Sequence, residues 1–260
     1  ITMPYYYYGF DPTYFLVIIG AVICMMLPQD KSTYNKYSQY RSASGMTGAQ
    51  AAQRILNSAG IYDVTIQHVS GNLTDHYNPS AKTLNLSDSV YNSTSVAAVG
   101  VAAHECGHAI QHQNSYFPLT LRTAIVPVAN LGSTLAWPLI LIGLFFTRNT
   151  GAVLINLGII CFSFAVIFQL VTLPVEFNAL QGHCAFRRAG HLSDSELPYT
   201  KKVLKAAALT YVASAAAAIL QLLRLVLLFG EETVTDSVNT RELILGILME
   251  VTKEAVTAIL

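Results

Sequence analysis

Residues 124–146 read AIVPVANLGSTLAWPLILIGLFF and contain no charged side chain. After a short polar break, residues 152–173 form a second uncharged apolar run, AVLINLGIICFSFAVIFQLVTL. About 20 consecutive apolar residues are enough for an α-helix to cross the roughly 30 Å hydrocarbon core of a bilayer. The two runs therefore predict a pair of transmembrane helices joined by a short turn.

Two further apolar runs lie at 14–27 and 203–229. The first is short unless the aromatic residues at 5–10 extend it. It has neither the basic start nor the small-residue cleavage site of a signal peptide, so we interpret it as an uncleaved span. The sequence thus predicts four transmembrane helices.

The composition supports a membrane protein that contacts the lipid bilayer. Hydrophobic residues make up 53% of the chain and charged residues 12%, against roughly 25% charged residues in a typical soluble domain. The 15 basic and 15 acidic residues balance, which disfavours a nucleic-acid-binding protein, because such a protein needs a clustered positive surface. The high apolar content and low net charge also disfavour a disordered chain.

The segment 28–122 holds most of the polar residues between the spans. Thr47 and Gln50 have the spacing of a capping box, which marks a helix start. Alternating apolar residues and turn signals predict a helix over 49–58, a strand over 64–69, a hairpin of 73–77 with 83–87, and a helix over 95–113. We therefore expect a mainly α membrane protein, with four transmembrane helices and a small α+β cytoplasmic domain.

The predicted organisation has four parts. They are an N-terminal transmembrane anchor (1–27), the cytoplasmic domain (28–122), three further transmembrane helices with an intervening cytoplasmic loop at 174–202 (123–229), and an amphipathic tail (230–260). The tail resembles an interfacial or subunit-contact helix, so an oligomer or a membrane partner protein is left open.

The basic residues predict the orientation of the chain. Eleven of the 15 Lys and Arg residues lie in segments 28–122 and 177–205, which four alternating spans place on one side of the membrane. Cytoplasmic segments carry an excess of Lys and Arg. This side is therefore predicted to be the cytoplasm.

The last helix of the polar segment contains His104-Glu105-Cys106-Gly107-His108, which matches the pattern H-E-x-x-H. Residues four apart share one face of a helix, so His104 and His108 can bind one zinc ion together. Glu105 can then accept a proton from a water that the metal activates. A surface or core pair of histidines is the alternative interpretation.

A hydrolytic zinc site needs a third protein ligand and one open position. His112 is eight residues from His104, about 12 Å along a straight helix, which disfavours it. Glu176 follows the third span, and the topology brings it to the level of the histidine pair. We favour Glu176, although an ordinary interfacial charge is the alternative.

Four other side chains are weaker candidates. His76 and Tyr77 have the chemistry to donate a hydrogen bond to a developing oxyanion, but packing in the hairpin explains them equally well. His183 and His191 follow Glu176 and are interpreted as loop residues, with a second metal as the less favoured alternative.

Longer stretches of the chain resemble the bacterial membrane neutral zinc metallopeptidases of the YugP type. They are YYGFDPTYFL (7–16), TDHYNP (74–79), AAHECGHAIQH (102–112), VPVANLGSTLAWPLILIG (126–143), LPVEFNA (173–179) and KAAALTYVASAAAAILQLLRLVLL (205–228).

The resemblance implies a gluzincin-like peptidase in the bacterial inner membrane, with one zinc ion. His104, His108 and Glu176 would be the zinc ligands and Glu105 the general base, acting on a protein or peptide substrate. Two alternatives remain: a non-catalytic membrane assembly factor with a structural or lost zinc site, and a zinc hydrolase of a non-peptide substrate.

Overall fold

The computed structural model of the protein describes residues 13–26, 30–146, 148–179 and 197–229. The elements in these ranges are α1 (Thr13–Met26), α2 (Asp30–Tyr37), α3 (Gly48–Ser58), β1 (Thr65–Val69), β2 (His76–Asn78), β3 (Thr83–Ser87), α4 (Val96–Gln113), α5 (Phe117–Phe145), α6 (Arg148–Ala179) and α7 (Leu197–Phe229). The predicted tail at 230–260, the aromatic residues at 5–10, His183 and His191 lie outside the described residues.

Three described helices are long and apolar enough to cross a membrane: α5, α6 and α7. Large apolar side chains on them are exposed, such as Leu131, Phe145 and Val153, as expected for surfaces that face lipid. These helices confirm three of the four predicted spans. The predicted first span corresponds to α1, which has 14 residues and is about 21 Å long, so this described helix is too short to cross the bilayer by itself.

The four helices pack in the order α5, α6, α7 and α1. Glycines bring α5 and α6 close together. A Cβ at Gly132 would lie 2.5 Å from the carbonyl oxygen of Cys161, and a Cβ at Gly158 would lie 2.9 Å from that of Ala136. Small residues allow such backbone contact between membrane helices. The two helices therefore form a tight antiparallel pair.

The polar segment folds as the predicted α+β domain. Thr47 and Gln50 form a capping box at the start of α3, and Ser95 caps α4. The predicted hairpin is present as β2 and β3. The sheet order is β1-β3-β2, with β1 parallel to β3, so β3 is central and β2 is an edge strand. The core of this domain lies between α3, α4 and β3.

The domain and the membrane helices share contacts through α4, which packs against both α6 and α7. Three helices continue beyond their predicted apolar runs: α5 begins at Phe117, α7 begins at Leu197, and α6 passes through Pro174 to Ala179. Glu176 therefore lies on the last turn of α6, not in a loop at 174–202. The reason is packing, since Val175, Glu176 and Ala179 are buried where α6 contacts α4.

Candidate metal centre

The sequence His104-Glu105-Cys106-Gly107-His108 lies in the middle of α4. Ser95 begins the helix by accepting a hydrogen bond from the backbone N–H of Ala98. Helical periodicity then places the two histidines one turn apart on the same face. Their ring centroids are 4.8 Å apart, so both rings point toward one volume at the boundary with α6.

Glu176 of α6 enters this volume from the opposite side. Its Oε2 lies 3.1 Å from Nε2 of His104 and 3.7 Å from Nε2 of His108. Its other oxygen, Oε1, lies 3.4 Å from Nη1 of Arg122, and the Glu176 side chain is 1% exposed. A buried carboxylate is costly unless it is paired. Arg122 therefore stabilises the charge on Oε1 while Oε2 faces the histidines.

One close backbone contact makes this convergence possible. A Cβ at Gly107 would overlap the carbonyl oxygen of Ala179 and lie 3.2 Å from its Cα. Any larger residue at position 107 would therefore push α4 away from the end of α6. Gly107 thus sets the distance at which Glu176 can reach the histidine pair.

Gln111 links His108 to the end of α6. Its Oε1 lies 3.0 Å from Nδ1 of His108, and its Nε2 donates to the carbonyl of Val175 at 2.8 Å and to Oδ1 of Asn178 at 2.9 Å. Since an amide oxygen can only accept, Nδ1 of His108 carries the proton. The Nε2 atom is then left as the electron-pair donor, the state that a metal ligand requires.

The donor set fits zinc. One ligand atom from each of His104, His108 and Glu176 lies within 4.8 Å of the others, and two imidazoles with one carboxylate are a known catalytic zinc set. Burial, together with nearby His104, lowers the pKa of His108 to about 4. His108 is therefore neutral at physiological pH, as a zinc ligand must be.

Glu105 lies beside these three residues and points toward the sheet. Burial raises its pKa to about 7, and the backbone of Tyr77 in β2 acts weakly in the opposite direction. Asp75 contributes to this rise; its carboxylate is held by the backbone N–H of Ser87 at 2.7 Å and by the Ser87 hydroxyl at 2.9 Å. A carboxylate with a pKa near neutrality is suited to accept and return a proton.

A cavity of about 150 Å³ opens next to His104 and Glu105. Its other walls are Leu73 and Asp75 before β2, Val101 of α4, and Val203, Leu204, Ala207, Thr210 and Tyr211 of α7. The site therefore has a recess with both polar and apolar walls beside the motif, and α7 forms one of its sides.

The profile of the family described as "Putative neutral zinc metallopeptidase" matches residues 13–230. The chain belongs to this family. It is also 48% identical over 200 residues to "Putative membrane protease YugP" of Bacillus subtilis (strain 168), an alignment that covers 76% of this chain and 88% of that protein. No solved structure matches the chain.

Other candidates from the sequence have local roles in this member of the metallopeptidase family. His112 is not part of the three-residue cluster; its Nδ1 lies 2.8 Å from the Tyr77 hydroxyl. His76 lies in the hairpin, with Nδ1 2.9 Å from the carbonyl of Thr74 and Nε2 3.1 Å from Nδ2 of Asn85.

Sequence reasoning missed three residues that shape the site of this metallopeptidase family member: Gly107, Gln111 and Arg122. Gly107 is within the motif but occupies a position that the pattern leaves free. Gln111 is three residues beyond His108 on the same helix, a spacing at which side chains meet, so this signal was present. Arg122 was counted only among the basic residues of segment 28–122.

Proposed function

We propose that the protein is an integral membrane zinc-dependent endopeptidase that hydrolyses peptide bonds of membrane-associated or unfolded proteins. The observation that carries this proposal is the convergence of His104, His108 and Glu176 within 4.8 Å, next to the buried carboxylate of Glu105. Membership of the metallopeptidase family supports it.

His104, His108 and Glu176 would hold one Zn²⁺. When bound, the ion supplies Lewis acidity, which makes a water more acidic and polarises a substrate carbonyl. Glu105 accepts the proton of the attacking water and returns it to the departing amide nitrogen. Burial, which raises the pKa of Glu105 to about 7, suits its carboxylate to this transfer.

The sheet favours a peptide substrate over other substrate classes. Strand β3 is paired on both sides, whereas β2 is an edge strand that packs against the motif helix α4. An extended peptide can bind along such an edge. The neighbouring recess of about 150 Å³ has the size of one large side chain and is small for a lipid acyl chain.

The function can be tested with the purified full-length protein in a neutral detergent. We expect the protein to contain one zinc per chain and to cleave unfolded casein. Removal of the metal with 1,10-phenanthroline should abolish cleavage, and added Zn²⁺ should restore it, because Glu105 alone is a weak activator of water. Product fragments are measured by mass spectrometry.

The same assay separates the alternatives. A phospholipid and an aryl ester serve as non-peptide substrates. Zinc-dependent cleavage of either one without cleavage of casein would favour a different hydrolase. Zinc binding without any hydrolysis would favour an assembly factor with a structural ion.

We further propose that the α+β domain and the metal centre face the cytoplasm. The positive-inside partition of the Lys and Arg residues supports this orientation. In intact cells, a membrane-impermeant maleimide should label a cysteine at Thr150, at the start of α6, but not one at Gln39 in the domain. The parent protein controls for its native cysteines. If the reagent labels the Q39C variant but not the T150C variant, the orientation is the reverse of the one proposed.

A further inference from the structure

A second cavity, of about 400 Å³, lies where α2 meets the first turns of α7. Its polar lining includes three lysines, Lys36 of α2 with Lys202 and Lys205 of α7, and the hydroxyl residues Ser32 and Thr33. None of the described residues that line it is a carboxylate. Within the described ranges none of the three lysines forms an ion pair. The described lining thus concentrates positive charge without a counter-charge of its own.

Aromatic contacts between α2 and α7 fix the positions of the two helices that carry these lysines. The ring of Tyr199 in α7 lies 5.7 Å from that of Tyr37 in α2 and stacks at 5.7 Å on that of Tyr40. The Tyr34 hydroxyl donates to the carbonyl of Ser89 at 2.7 Å, which fixes α2 to the α+β domain. The lysine cavity is therefore preformed. These contacts hold the two helices together although the lysines repel one another.

The position of the cavity indicates which anion it fits. Helix α2 follows directly after α1, and the lysines of α7 precede the apolar part of a candidate membrane span. Tyrosines concentrate at membrane–water interfaces, and Tyr37, Tyr40 and Tyr199 form a cluster beside this cavity. The cavity is therefore expected at the level at which phospholipid headgroups are found.

The lining of the cavity has a polar part and an apolar part, which match the headgroup and the acyl chains of a phospholipid. Lys36, Lys202 and Ser32 provide the cationic and hydroxyl part, whereas Ala206 and Leu209, further along α7, provide an apolar part toward the membrane. A soluble phosphate compound would use only the first part. Lysine binds phosphate oxygens as a point charge, and basic residues near a membrane surface attract anionic lipids.

We propose that this lysine cavity binds the phosphate headgroup of one anionic phospholipid. The site is separate from the metal centre, since residues 203, 204, 207 and 210 of α7 line the metal-centre recess while 202, 205, 206 and 209 line the lysine cavity. It does not depend on the peptidase function.

The test uses delipidated full-length protein in a neutral detergent, titrated with dioleoylphosphatidylglycerol and observed by native mass spectrometry. The variant K36Q/K202Q removes one lysine from each helix of the cavity. The matched control K31Q/K201Q removes the same charge from the same helices, at exposed positions outside the lining.

We expect the wild type and the control to bind one lipid more tightly than any others. K36Q/K202Q should bind that lipid about 30-fold more weakly, from about fivefold for each lysine at a membrane surface. K36R/K202R, which keeps the charges, should retain binding.

If K36Q/K202Q and the control lose lipid affinity equally, the proposal is overturned, because the net charge of the protein alone would then attract the lipid. Equal affinity of the wild type for dioleoylphosphatidylcholine would also overturn it, and this comparison needs no variant. Displacement of the lipid by an equal concentration of glycerol phosphate would assign the cavity to a soluble phosphate compound instead.

Discussion

Glu105→Gln is expected to lower casein hydrolysis by at least about 100-fold while the zinc content stays at the wild-type level. The amide keeps the shape of the side chain and can still hydrogen-bond to water, but it cannot accept the proton. General-base assistance is typically worth about 10²–10⁴-fold. The measurements are the initial rate of cleavage and the metal content by mass spectrometry.

Asp88→Asn is the control for this substitution. Asp88 is an exposed carboxylate of the same domain and is paired with His68, away from the three-residue cluster. Its replacement should change neither the rate nor the zinc content. If Glu105→Gln cleaves casein as fast as the wild type, the peptidase mechanism is wrong; if it loses its zinc, Glu105 has a role in holding the metal.

Glu176→Gln is expected to weaken zinc binding by more than about 100-fold. Loss of an outer partner of a ligand already costs about 10–100-fold, and this substitution removes the carboxylate that faces both histidines at 3.1 and 3.7 Å. The affinity is measured by competition with a chromophoric chelator. Peptidase activity should fall in parallel at limiting zinc.

His112→Ala is the matched control on the motif helix. His112 contacts Tyr77 and lies outside the cluster of candidate ligands, so zinc affinity should change little. The melting temperature of each metal-free variant shows whether the fold is retained, because Glu176→Gln leaves Arg122 without its partner. Zinc retention in Glu176→Gln together with loss in His112→Ala would reverse the assignment of the third ligand.

Local patterns in the sequence were sufficient to predict most elements of the described chain. The capping box at Thr47, the hairpin around Asn78, the motif helix and three spans are present. Each depends on side-chain periodicity or turn chemistry within a few residues. The sheet order was not predictable in this way, because the parallel pairing of β1 with β3 joins segments that are separated by β2.

The candidate metal centre was likewise predictable only in part from local patterns. By itself the sequence determined that His104 and His108 share a helix face, because four residues make about one helical turn, and it indicated Glu176 through the alternation of spans. Only the tertiary structure decided that Glu176 lies on α6, 72 residues away from His104 in the chain and 3.1 Å from it in space. That contact depends on backbone packing at Gly107 and on charge pairing with Arg122. Both are properties of surfaces that meet only in the folded chain, so no local pattern encodes them.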